Sequence, residues 1–174
     1  MVMAGAAPRK RATRCMDSVK KNLDTDYGPA LFLPAYQDPD PKMGIITRFA
    51  PGTKENGTIF CHPTCWAIMA ECILGRGEQA YEYWKQVSFI HNGRKPDTYK
   101  AEPYVYSEFI HGPDSPYFGQ GEFSWMTGTA SWMWKVSLEW IMGIRPEIRG
   151  LLVDPCIPSE WESFSIQRPF RGAV

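Results

Sequence analysis

Neither sign of charge prevails in this chain: lysine plus arginine and aspartate plus glutamate number 19 each over 174 residues. A neutral balance excludes the electrostatic footprint that nucleic acid or an anionic membrane surface requires. It leaves room for a local anion site, because 19 cationic side chains remain. Long apolar runs are also missing, and none approaches the roughly 18–20 residues of a membrane span. The basic, alanine-rich stretch over residues 1–14 lacks the apolar core of a secretory signal. Cysteines are odd in number, five in all, and sit in core-like segments, which fits reduced thiols in a cytoplasm better than a disulfide framework. Internal repeats and low-complexity segments are absent. What the chain has in surplus is aromatic side chains: seven Trp, eight Tyr and nine Phe. Such a surplus serves a large core, or walls against which the C–H face of a sugar ring stacks. The length suffices for one domain with a core.

Hydrophobic spacing predicts four helices. Residues 9–23 carry Ala12, Cys15, Met16, Val19 and Leu23 at helical intervals. A helix over residues 64–74 follows Pro63, presents Trp66, Met69, Ala70 and Ile73, and stops at Gly75. Gly75-Arg76-Gly77 connects it tightly to a helix over 78–89 bearing Ala80, Tyr81, Trp84 and Val87, so the two should pack antiparallel. The fourth covers 128–142, with Ala130, Met133, Trp134, Ser137, Trp140 and Ile141 on its apolar face and Gly143 and Pro146 beyond its end. Leu151-Leu152-Val153 and the alternating Phe164–Arg168 then read as strands. Proline-rich loops over 24–58 and 91–123 separate the helices, with short extended pieces expected at 30–33 and 45–49. Loops this long inside a compact domain are usually functional. Long loops leaving helices at one end build the pocket of an (α/α) toroid, although four helices cannot close one.

Four stretches hold residue types that do chemistry. Lys54-Glu55-Asn56, between Gly52 and Gly57, sets three hydrogen-bonding side chains side by side. It suits sugar hydroxyls, which need fixed mixed donors and acceptors, and it equally suits a solvated turn. Trp125-Met-Thr-Gly-Thr-Ala-Ser131 opens a helix. There Thr127 can cap, Gly128 admits close approach to the backbone, and the free N–H groups favour an anion. A plain cap with small residues packed on a neighbour fits the same letters, and the lysine and glycine spacing of a nucleotide-binding P-loop is missing. Cys61-His62-x-x-Cys65 and Cys72 lack the second ligand pair of a metal site and fall in a helix that needs its apolar face, so they read as core and no metal is expected. Tyr104, Tyr106, Glu102 and Glu108 lie in one loop around Pro103, where they either flank a sugar or pack the loop.

Five ordered segments give the sequence a likeness. PGTKENGTIFCH (51–62), LGRGEQAYEYWKQ (74–86), YKAEPYVYSE (99–108), SWMTGTASWM (124–133) and the stretch from Ile141-Met-Gly-Ile-Arg-Pro through Gly150 to Trp161 occur in this order and at family-like spacing. Together they resemble the cellobiose, cellodextrin and chitobiose phosphorylases of glycoside hydrolase family 94, over nearly everything from Cys15 to Ala173. The fold the resemblance implies is mainly α. The chain would supply the last helices of an (α/α)6 catalytic barrel over 1–147 and the start of a C-terminal β-sandwich-like region over 148–174. By the same likeness, His62, Thr127 and Gly128 match the residues that hold inorganic phosphate. Lys54 matches a residue that binds the glucosyl unit in the donor subsite. Glu108 stands where the cellobiose enzymes place a glutamine, and the carboxylate lacks that amide's donors. Phe49 and Ile45 replace a tyrosine and a glutamate at the acceptor sugar, so acceptor specificity should differ, with Arg48 serving a different acceptor.

The resemblance further implies an inverting reaction. A carboxylic acid protonates the leaving glycosidic oxygen and phosphate attacks the anomeric carbon from the opposite face, giving α-sugar 1-phosphate from a β-disaccharide. Phosphate already carries charge, so an anion cradle takes the place of a general base. Phosphate is substrate, and no cofactor is expected. The acid, an aspartate in the family, is expected in an upstream segment, leaving no catalytic residue here and an isolated chain without activity. Full-length members are often homodimers. An inverting (α/α)6 hydrolase, with Glu108 as base, and a non-catalytic carbohydrate-binding remnant are the alternatives.

Overall fold

The computed structural model describes residues 1–172, so residues 173 and 174, the end of the expected β region, lie outside the described residues. Helix α1 (Arg9–Asn22) starts behind Pro8 and ends with Lys20 and Lys21 near its carbonyl pole, where cations are favourable. It buries Ala12 and Met16 and leaves Cys15 exposed, so that cysteine is not the core residue its spacing predicts. Helix α2 (Cys61–Leu74) begins three residues earlier than expected and takes Pro63 into its first turn, where the missing N–H costs nothing. Gly75, at φ 75°, ends it in the left-handed conformation, and the N–H groups of Gly75 and Arg76 return to the carbonyls of Cys72 and Glu71. Helix α3 (Gly77–Val87) then packs along α2. Two single turns follow, α4 (Phe89–Asn92) and α5 (Pro96–Tyr99).

Helix α6 (Thr129–Lys135) continues as π-helical turns over Val136–Ile141. Met133, Val136 and Ile141 face the core, while Trp134, expected there, is 59% exposed. Ser137 sits in the widened stretch, donates to the Met133 carbonyl and accepts from Trp84 Nε1 at 2.8 Å, tying α3 to it. In α2 the expected Ala70 is buried together with Cys61, Cys65 and Ile68, whereas Trp66, also expected there, is 41% exposed.

Strands are few and short. β1 (Ile59–Phe60), β2 (Phe109–Ile110) and β3 (Gly121–Glu122) form an antiparallel sheet in that order, pairing Ile59 with Ile110 and Phe109 with Glu122. β4 (Ile144–Glu147) pairs with β5 (Gly150–Val153) as a hairpin. The expected extended piece at 45–49 is instead a 3-10 turn over Ile45–Arg48. Local bonding from the Thr47 hydroxyl to the Gly44 carbonyl and from the Asp40 N–H to that hydroxyl at 2.8 Å outcompetes extension. The expected strand over 164–168 forms no ladder. Its alternation persists as burial, with Phe164, Ile166 and Arg168 half-buried and Ser165 and Gln167 exposed. The β4–β5 pair receives the Arg168 side chain, at the Ile144 carbonyl, and takes no backbone bond from this stretch.

The core runs from α1 through α2 to α3 and the π-turns. Glu71 lies inside it, fully buried, with both carboxylate oxygens lacking a hydrogen bond among the described residues and the Arg76 guanidinium 3.6 Å away. Burial raises its carboxyl above the ordinary value, and Arg76 only partly offsets this. A raised folded value means that the stability it contributes is present below the unfolded carboxylate value and is lost as pH rises through the folded one. Glu71→Gln is therefore expected to be neutral or stabilising at pH 7 and to flatten the decline in melting temperature above the ordinary carboxylate range. Melting temperatures of both proteins from pH 4 to 8 check this, and an unchanged slope would refute it.

Candidate functional site

The site is assembled where the turn over 51–57 meets the amino end of α2 and the start of α6. Gly52 (φ 71°) and Gly57 (φ 77°) let the chain reverse, and the Gly112 N–H reaches the Gly52 carbonyl at 3.0 Å, docking the turn on the end of β2. Asn56 is fully buried. Its amide donates to the Tyr36 and Phe49 carbonyls at 2.9 Å and its oxygen accepts from the Tyr36 N–H. Of the three adjacent polar residues, Asn56 is thus spent on the loop, and Lys54 and Glu55 remain for a ligand.

Lys54 itself is left-handed, at φ 49°. Its Nζ lies 3.2 Å from Glu108 Oε2 and 3.6 Å from the centroid of the Phe123 ring. An ammonium held between a carboxylate and an aromatic face is fixed in position. Phe123 (φ 52°) and Trp125 (φ 72°) are left-handed too. Non-glycine residues adopt this conformation at a cost of about 1–3 kcal/mol each and gather at ligand-binding sites. Glu108 connects the two halves of the site, because its carbonyl accepts from the Cys61 N–H at 2.9 Å, immediately before His62.

His62 is in the first turn of α2. Its ring packs on Trp66 (5.1 Å between centroids) and Trp132 (5.8 Å). It lies so close to Gly128 that a Cβ there would stand 3.2 Å from His62 Cε1 and 3.3 Å from Nδ1. Nε2 is buried without a hydrogen-bond partner among the described residues. Gly128 precedes the first residue of α6, and the Thr127 hydroxyl accepts from the Thr129 N–H at 3.2 Å while bonding the Thr129 hydroxyl at 2.7 Å. Thr127 therefore organises the start of the helix from one position earlier than a cap. An open cleft of about 560 Å3 passes along His62 and Trp66, walled by Phe32 and Phe60 and edged by Glu55.

The structure thus gathers His62, Thr127 and Gly128 in one place and Lys54 and Glu108 in another, joined through Cys61. Arg48 is exposed at the end of its 3-10 turn and makes no hydrogen bond or ion pair among the described residues, while Phe49 is half-buried and offers its carbonyl to Asn56. Cys61 and Cys65 are core thiols, and burial pushes Cys65 up to about 12. Tyr106 packs edge-on against Phe89 at 4.8 Å, whereas Tyr104 is exposed beside Trp125, whose Nε1 donates to Glu102. Sequence reasoning missed Trp66 and Trp132 as the walls of the histidine and Phe123 as the platform for the lysine. Trp132 stands one helical turn after Gly128, a spacing that points at the same site.

The profile of the glycosyl hydrolase 94 superfamily catalytic domain matches residues 1–143. The chain belongs to this family. The N,N'-diacetylchitobiose phosphorylase of Vibrio furnissii is 39% identical over 173 residues, covering 99% of this chain and 22% of that protein. The solabiose phosphorylase of Paenibacillus borealis is 36% identical, covering 98% of this chain and 22% of its own length. The cyclic beta-(1,2)-glucan synthase NdvB of Rhizobium meliloti (strain 1021) is 30% identical over 99% of this chain and 6% of its own length. The chain spans about a fifth of the two phosphorylases. Its mainly helical content with a few small strands suits a piece of a family 94 catalytic domain.

Proposed function

We propose that this chain is part of an inverting glycoside phosphorylase that cleaves a β-linked disaccharide with inorganic phosphate to give an α-sugar 1-phosphate. The observation that carries the reading is the buried Nε2 of His62, without a partner among the described residues, in a ring held against Gly128, the residue after Thr127. A buried nitrogen with no partner costs about 1–3 kcal/mol and is rare unless something else binds at that place. An imidazole, a hydroxyl and the backbone at the start of α6 form a set suited to a phosphate, which attacks without prior deprotonation. Lys54 and Glu108, fixed on each other, would bind the hydroxyls of the donor sugar, while Phe49 and Arg48 would line the acceptor side. The acid that protonates the leaving oxygen would be an aspartate of the upstream segment. In this reading residues 1–147 belong to an (α/α)6 barrel and 148–174 open a β-sandwich-like region. The enzyme would work in the cytoplasm without a cofactor, as a homodimer like many full-length members.

An inverting hydrolase is the competing reading. Glu108 is a poor base for it, being tied to Lys54, whereas Glu55 edges the cleft that His62 lines. A chimera decides between them: this chain replaces the matching stretch of a chitobiose phosphorylase, and products are measured with and without phosphate. Sugar 1-phosphate formed only with phosphate is the expected result. Free sugar released at equal rate without phosphate would overturn the proposal.

A further inference from the structure

Two of the five cysteines meet far from the cleft. Cys72 is in the last turn of α2, and Cys156 lies in the segment after β5, with its N–H on the Ile141 carbonyl at 2.9 Å. Both line a second cleft of about 280 Å3 shared with Trp140 and Arg145. The Cys72 and Cys156 side chains thus face one shared space. The segment is held there by backbone: a Cβ on Gly77 would run into the Ile157 carbonyl and stand 3.1 Å from the Cys156 oxygen. The Asp154 N–H also binds the Gly143 carbonyl, and Arg145 bridges Glu139 and Asp154.

We propose that Cys72 and Cys156 form a redox-active dithiol whose oxidation staples the segment after β5 to the α2–α3 junction. The two thiols have unequal roles. The neighbouring Cys72 thiol lowers the Cys156 thiol below its ordinary value, whereas Cys156 and burial push Cys72 up. Cys156 is also the more exposed of the two, so it is the attacking thiolate and Cys72 the resolving thiol. The oxidant is a low-molecular-weight disulfide. Cys156 thiolate attacks one of its sulfurs, forming a mixed disulfide and releasing one thiolate. Cys72 then gives up its proton, attacks Cys156 Sγ and expels the second thiolate, which takes up a proton. Two protein thiols and one disulfide become one protein disulfide and two small thiols, without a metal or cofactor.

Treating the chain with glutathione disulfide, blocking the remaining thiols with iodoacetamide and digesting with trypsin without reductant reads this directly. The expected product is a cross-linked peptide joining residues 55–76 to 150–171, with fragmentation placing the bond at Cys72. Cys72→Ser should accumulate glutathione on Cys156, because the resolving step is lost, and Cys156→Ser should yield no cross-link. In the untreated chain, alkylation of Cys156 should reach half its maximal rate below pH about 8.5, the value of a free cysteine. A bond to Cys61 or Cys65, or glutathione taken up by Cys15 while Cys156 stays free, would overturn the proposal. The wild-type measurement stands even if a serine variant misfolds.

Discussion

In the chimera, His62→Ala is expected to reduce phosphorolysis by about 10- to 150-fold, the loss of a charge-assisted hydrogen bond worth about 1.5–3 kcal/mol. The change should appear in the phosphate dependence, because the ring lies against Gly128 at the start of α6, whereas Lys54 is held on Glu108. An alanine would also leave Trp66 and Trp132 packing on a gap, so a melt of the variant is needed to show that it is folded. Rates measured with phosphate and disaccharide varied separately provide the check. The KM for the disaccharide should move by less than about threefold, since a contact confined to one substrate does not change saturation by the other. A variant saturating normally with phosphate but poorly with disaccharide would return His62 to the role of a packed histidine in α2.

Gly112→Ala is expected to cost the fold heavily. A Cβ there would collide with the Gly57 carbonyl and stand 3.2 Å from the Thr58 Cα, and both obstacles are backbone. The contact cannot be relieved by a rotamer change, so the turn over 51–57 and the end of β2 must separate, breaking the bond from the Gly112 N–H to the Gly52 carbonyl. Overpacking of this kind costs about 1–3 kcal/mol, and for a chain of this size that lowers the melting temperature by about 2–12 °C. The same separation lifts Lys54 from Glu108 and Phe123, so donor-sugar saturation in the chimera should weaken as well. Thermal melts of the chain and disaccharide saturation of the chimera measure the two effects. A variant that melts like the wild type would show that the turn is not held by this approach.

The family, the four helical stretches and the phosphate and sugar candidates were all legible in the sequence, because they rest on local spacing and on ordered short segments. The positions of Gly75, Gly128 and Thr127 dictate a helix end and a helix start by backbone chemistry alone, and the structure keeps them there. Which face of each helix is buried was not legible. The apolar residues of α2 surround it, so Trp66 and Ile68 compete on equal terms, and only the placement of α1, α3 and α6 decides for Ile68. In α6 the π-helical turns shift the register after Lys135, and no periodicity of 3.6 can announce a change in the period itself.

A strand needs a partner as well as a pattern. Residues 164–168 keep their alternating burial yet form no ladder, whereas the two-residue strands β1 and β2 pair across about 50 residues, and β2 with β3, without any alternation to mark them. That sheet sets Glu108 beside Lys54 and next to the amino end of α2, and hence beside His62. The sequence by itself determined the residue types of the site and the family they belong to, since both are properties of local order. The salt bridge between Lys54 and Glu108, the packing of His62 on Gly128 and the meeting of Cys72 with Cys156 were decided by tertiary structure alone. Each joins residues more than 50 positions apart, and spacing along a chain does not encode which distant neighbours long-range packing brings within reach.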